Sequence, residues 1–88
     1  MKTIVFSRHA LDQMLKRGVT RTEVATAIRE GEIAPAKEDR LAFRKNFPFE
    51  SDWKGKYYEM KQVMPIVTEE AERFVVITVY AFYFGGKS

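Results

Sequence analysis

Residues 74–84 read FVVITVYAFYF, eleven consecutive positions without a charge and almost all β-branched or aromatic. Such a stretch is stiff at χ1 and fits a pleated strand better than a helix. Both alternating sets of side chains are apolar, which predicts a central strand covered on both faces. The strand is expected over Arg73–Phe84. A long partner, Lys56–Val67, precedes it across the acidic turn Thr68–Glu72, so the pair reads as an antiparallel hairpin. Upstream, Leu41, Phe43, Lys45 and Phe47 alternate with Ala42, Arg44 and Asn46, the pattern of a strand with one buried face. Pro48–Gly55, which contains Trp53, reads as a polar connection.

The first third of the chain has a different period. Lys2–Phe6 predicts a short strand. Ser7 is placed as N-cap of a helix over Arg8–Arg17, which Gly18 ends in the left-handed conformation. At about 100° per residue, Ala10, Leu11, Met14 and Leu15 share one face, while His9, Gln13, Lys16 and Arg17 gather on the other. Thr20 and Glu23 then form a T-x-x-E capping box, Val24, Ala27 and Ile28 an apolar stripe, and Gly31 a stop. Glu32–Arg40, interrupted by Pro35, reads as a connecting loop with an extended portion. The fold class expected is α+β in the order β-α-α-β-β-β. The two N-terminal helices pack on one face of an antiparallel-rich sheet made by all four strands. Residues 1–84 form a single domain and 85–88 a flexible tail.

Composition narrows the chemistry. The 88 residues include no cysteine and one histidine, which excludes a disulfide framework, a thiolate nucleophile, Cys-ligated zinc and any site needing two imidazoles. No apolar run approaches the roughly 18 residues needed to span a bilayer. Met1–Phe6 lacks the regions of a signal peptide, so a cytoplasmic, soluble protein is expected. The acidic residues Glu30, Glu32, Glu38 and Asp39 lack calcium-loop spacing, Glu69, Glu70 and Glu72 mark a solvated turn, and no phosphate-binding glycine motif or nucleophile elbow occurs. No metal or cofactor is therefore expected. The net charge of +3 sits entirely in residues 1–31, with six basic and three acidic side chains. That bias suits a phosphate-bearing partner, and it equally suits solvated helix faces.

Five residues are candidates for chemistry. His9 falls in the first turn of its helix, where the positive end of the helix dipole favours neutral imidazole. It could take a proton beside a docked phosphate, or it could cap and pack under the first strand. Arg17 follows on the same face about 12 Å along the axis, with Gln13 between, as a phosphate-gripping row or a plain solvated stripe. Arg40 and Arg44 alternate opposite Leu41, Phe43 and Phe47. Glu59 and Lys61 share a face of the next strand, as do Thr78, Tyr80 and Phe82 of the last. If these faces coincide they form a basic, aromatic platform for nucleic acid. The alternative is cross-strand pairing of Glu59 with Lys61 and a core position for Tyr80.

Phe6-Ser7-Arg8-His9-Ala10, with Met14, Arg17-Gly18-Val19, Glu23-Val24, Ile28 and Gly31-Glu32, resembles the bacterial domain-of-unknown-function family 4258. The segment Val76-Ile77-Thr78-Val79-Tyr80 resembles that family's closing strand. Many members resemble H-A-x-x-R-M, and this chain departs from them at Gln13. The element order is also similar to the RelE-like toxin fold. That resemblance implies a metal-independent RNA endonuclease of a toxin–antitoxin pair, with RNA and a small antitoxin-like protein as partners. In such an enzyme His9 would serve as base or acid, Arg17 or Arg44 as the cation at the phosphorane, and Lys61 or Tyr80 as the other proton carrier. The alternative is a catalytically inert domain that binds a small protein or RNA.

Overall fold

The computed structural model describes residues 2–86. Its elements run β1 (Thr3–Phe6), α1 (Arg8–Arg17), α2 (Arg21–Glu30), β2 (Glu32–Pro35), β3 (Leu41–Trp53), β4 (Lys56–Glu69) and β5 (Arg73–Phe84). The strands form one mixed sheet in the order β1-β5-β4-β3-β2, with β1 parallel to β5 and the other neighbours antiparallel.

Two expectations about the strands are corrected. The extended portion expected within Glu32–Arg40 is a paired edge strand, Glu32–Pro35, with Ile33 opposite Phe43 and Ala34 opposite Ala42. At the end of an edge strand a proline need lose no ladder hydrogen bond. The segment 48–53 continues β3 instead of connecting it to β4. A bulge between Pro48 and Ser51, with Glu50 at φ 45°, absorbs the proline. The turn is Lys54–Gly55, both at positive φ, the two-residue geometry that matches strand twist. The element order is therefore β-α-α-β-β-β-β, with five strands rather than four.

Both helices start and stop where their caps stand. The Ser7 hydroxyl accepts from the Ala10 N–H at 3.0 Å, and Gly18 closes α1 at φ 70°. Thr20 Oγ1 accepts from the Glu23 N–H while Glu23 Oε1 accepts from the Thr20 N–H. The core lies between the helices and one face of the sheet. Met14, Val24 and Ile28 meet Phe43, Val63, Val67, Val76 and Val79 there. Gly85, at the start of the expected tail, accepts from the Glu59 N–H at 2.8 Å. Lys87 and Ser88 lie outside the described residues.

Leu15 corrects the expected apolar face of α1, because it is 85% exposed. The helix packs beside β5 with a narrow buried arc, in which Ala10 and Met14 are buried and Arg17 is half-buried. That arc follows i, i+4, i+7 and turns Leu15 outward. Met14→Ala should therefore lower unfolding free energy by about 2–4 kcal/mol. Leu15→Ala should change it by less than about 0.5 kcal/mol. Urea denaturation of the two variants checks the contrast.

Candidate functional site

The helices cover only one face of the sheet. Cross-strand register identifies the other: Ile66 opposite Thr78, Met64 opposite Tyr80, Gln62 opposite Phe82 and Met60 opposite Phe84. On β3 the same face carries Ala42, Asn46 and Pro48, opposite Ile66, Gln62 and Met60, and alternation adds Arg44. Tyr80, Phe82 and Phe84 are 39%, 48% and 42% exposed. The apolar run of β5 is thus interior in strand order but covered on one face only. This corrects the expectation of a strand covered on both faces. It also makes three large aromatics in a row a surface feature, since an outward strand face in water is ordinarily polar.

A cation borders the row on the β5 side. Beyond Phe6 the sheet has no β1 to pair with β5, and side chains from the start and end of α1 occupy its edge. The Ser7 hydroxyl donates to the Ile77 carbonyl at 3.0 Å, and Arg17 Nη1 donates to the Val79 carbonyl at 2.8 Å. From there the Arg17 guanidinium lies 5.0 Å from the Tyr80 ring centroid. Tyr80 in turn stacks on Phe82, with centroids 6.4 Å apart and planes at 19°. On the far side Arg44 pairs with Glu32, Nε to Oε1 at 3.3 Å. Arg44 and Tyr80 lie in one row across three strands, about 10 Å apart with Met64 between. Gln62 Nε2 donates to Asn46 Oδ1 at 3.0 Å in the adjacent row.

The five sequence candidates therefore separate. Arg17 and Tyr80 are in contact, and Arg44 shares their face. His9 is exposed in the first turn of α1 and, among the described residues, has no hydrogen-bond or ion-pair partner. Arg40 stays in the turn before β3, paired with Glu38 at 3.5 Å. Lys61 is on the opposite, helix-covered face, with Phe47 and Tyr83 as its cross-strand neighbours. The expected platform thus loses Glu59 and Lys61 and gains Gln62, Met64 and Phe84. Alternation along β5 from Tyr80 was the signal for Phe84. Only the pairing register decides the β4 residues.

Lys61 is 4% exposed. Its Nζ donates to the Gly18 carbonyl at 2.6 Å and to Glu23 Oε1 at 2.8 Å. The rings of Phe49 and Tyr83 flank it, at 5.7 and 5.8 Å from the ammonium. Tyr83 stacks on Trp53 at 4.9 Å and donates its hydroxyl proton to the Arg17 carbonyl at 2.6 Å. A Cβ on Gly18 would lie 2.6 Å from Trp53 Cζ3, so the αL glycine is also required by close approach. This cluster holds α1, α2 and the sheet together, with two of the three ammonium donors spent on Gly18 and Glu23.

Burial pushes the Tyr83 phenol up to about 12, and the negative Glu23 adds to the shift. Among the described residues no group of three or more metal-ligating side chains forms, and no helix is long and apolar enough to cross a membrane.

The architecture defines a small α+β domain with two helices on one face of a five-stranded mixed sheet and an aromatic face left open. The family model of the Domain of unknown function (DUF4258) matches residues 6–81, and the chain belongs to that family. No curated protein and no solved structure matches it significantly.

Two outcomes test the Lys61 cluster. Lys61→Ala leaves Glu23 and the Gly18 carbonyl without their partner and should cost about 3 kcal/mol in chemical denaturation. For Tyr83, the folded protein keeps the phenol proton longer than the unfolded chain, whose tyrosines titrate near 10. Its contribution is complete below pH 10 and is lost as pH rises from 10 towards 12. Melting temperature should fall through that window less steeply in Tyr83→Phe than in the parent protein.

Proposed function

We propose that this domain binds single-stranded RNA on its open sheet face and acts as a metal-independent RNA endonuclease of the RelE-like toxin kind. The observation that carries the reading is the row Tyr80, Phe82 and Phe84, exposed together on one face with the Arg17 guanidinium over the first ring. Unpaired bases stack on such rings, each stack worth about 1–3 kcal/mol, and flanking cations hold the phosphates between them. Arg17 and Arg44 stand on the two sides of the row, so a backbone crossing the sheet meets a cation at each end. Gln62 and Asn46 supply amides that can read base edges between them.

The cleavage step draws on α1. His9, Gln13 and Arg17 recur every fourth residue and so form one stripe that ends at Tyr80. The His9 imidazole accepts the proton of the ribose 2′-hydroxyl. The oxygen attacks the adjacent phosphorus, and the 5′-oxygen leaves with a proton, giving a 2′,3′-cyclic phosphate. Arg17 is suited to the charge on the phosphorane and the Tyr80 hydroxyl to protonating the leaving oxygen. A chain of this kind would act in the cytoplasm and be held by a small antitoxin-like protein. A domain that holds RNA without cutting it is the inert counterpart of the same face.

Binding of a fluorescent oligouridylate separates these outcomes. Loss of two stacking rings in Tyr80→Ala/Phe82→Ala should weaken binding by about thirtyfold or more. Equal affinity in a folded double variant would remove the open face from RNA binding. On the same preparations His9→Ala should bind as the parent does yet cleave about 10²–10⁴ times more slowly. Full cleavage by His9→Ala would strike the imidazole from the mechanism.

A further inference from the structure

The β1 edge of the sheet carries a second surface that the open face does not use. β1 is the outermost strand, and its pairing with β5 leaves half of its backbone unpaired. The Thr3 N–H donates to the Glu72 carbonyl at 3.2 Å and the Ser7 N–H to the Val76 carbonyl at 3.0 Å. In a parallel pair these bonds recur every second residue. Residues 3, 5 and 7 therefore point their backbone groups inward, and Ile4 and Phe6 point theirs outward along a free edge. Edge strands are usually blunted by shortness, a lysine, a bulge, a proline or a covering element. β1 is short at four residues, with Lys2 beside it turned to Glu69. Among these four residues there is no proline, and the register with β5 is unbroken.

A groove of about 450 Å³ runs along this edge, with Ile4 and Phe6 on one side and Arg21, Thr22, Ala25 and Arg29 of α2 on the other. Arg21 lies over the Phe6 ring at 5.3 Å, while Lys2 is spent on Glu69 at 2.7 Å. Among the described residues Arg21 and Arg29 have no acidic partner. An adjoining hollow of about 280 Å³ opens between Ile4, Ile28 and Phe74 and shares Lys2 and Arg29 with the groove. The edge thus offers alternating backbone donors and acceptors, two unpaired guanidinium groups and an apolar hollow.

From this combination we propose that the β1 edge takes up an extended acidic segment of a partner protein, which adds to the sheet as a sixth strand. Main-chain hydrogen bonds to Ile4 and Phe6 supply register, and alternate side chains turn towards α2. Arg21 and Arg29 stand eight residues apart on the helix, about 12 Å. Positions i and i+4 of a strand are about 13 Å apart. The segment that fits carries acidic side chains at i and i+4, with an apolar side chain at i+2 for the hollow. Nucleic acid fits less well, because phosphates accept from N–H groups but offer nothing to the outward carbonyls. This surface is separate from the open face, so either can fail without the other.

The probe is the blocked peptide Ser-Glu-Thr-Leu-Thr-Glu-Ser, fluorescently labelled, with its Lys-for-Glu counterpart as control. Saturable binding of the acidic peptide at low salt is expected, with slowed hydrogen exchange at the Ile4 and Phe6 amides. Arg21→Glu/Arg29→Glu should weaken it about tenfold or more and bind the lysine peptide instead. That exchange of preference shows that the variant is folded. Tyr80→Ala/Phe82→Ala should bind the acidic peptide as the parent does. No binding would overturn the proposal, as would binding that leaves the Ile4 and Phe6 amides exchanging freely. Protection of those amides by oligouridylate at lower concentration would reassign the edge to nucleic acid. Protection that rises with protein concentration alone would reassign it to a second copy of the chain.

Discussion

One buried ammonium organises the molecule. Lys61 reaches from the middle of β4 to the carbonyl that ends α1 and to the carboxylate that begins α2. A helix C-terminus and a helix N-terminus each leave backbone groups unsatisfied, and here a single sheet residue links the two. Glu23 Oε1 accepts from both Lys61 and the Thr20 N–H, so the capping box of α2 and the buried ion pair share one oxygen. The tight turn from α1 to α2 is fixed over β4, and everything else is positioned from it. The aromatic wall of Phe49, Trp53 and Tyr83 keeps water from the pair, and Tyr83 adds a bond to the Arg17 carbonyl.

With α1 held there, one polar side chain at each of its ends serves the sheet rather than the solvent. Ser7 and Arg17 take the carbonyls of Ile77 and Val79 on β5, beyond the end of β1. The outcome for β5 is an edge protected by side chains and a face left open. Arg17 is bound to the backbone and close to Tyr80 at once, so its cation is held in place beside the open face. Two short α-helices cover one face of a five-stranded sheet and cannot cover the second. The exposed aromatics of β5 follow from that shortage as much as from their sequence.

Charge divides along the same lines. The excess basic charge of the first third of the chain does not gather at one place. Arg17 goes to the open face, Lys2 to the acidic turn, and Arg21 with Arg29 to the groove beside β1. A net charge of +3 thus conceals two separate basic sites, Arg17 beside the open face and Arg21 with Arg29 on the helix-covered side of β1, each with its own hydrogen-bonding chemistry.

Local signals settled much of this in advance. The caps at Ser7 and Thr20, the glycine at 18 and the β-branched run of β5 depend on neighbours within a turn or two, and the helices and strands stand where those residues place them. The same reading ended β3 at Phe47 and took Pro48–Gly55 for a polar connection. A bulge let the strand continue, and bulges are decided by the partner strand. Lys61 and Tyr80 mark the limit most clearly. In sequence both are polar tips on apolar strands, and their parity alone could not say which face each would take. The register between β4 and β5 sent Lys61 under the helices and Tyr80 into the open. A one-residue slip would have exchanged them, and only the packing of two whole faces makes that slip costly.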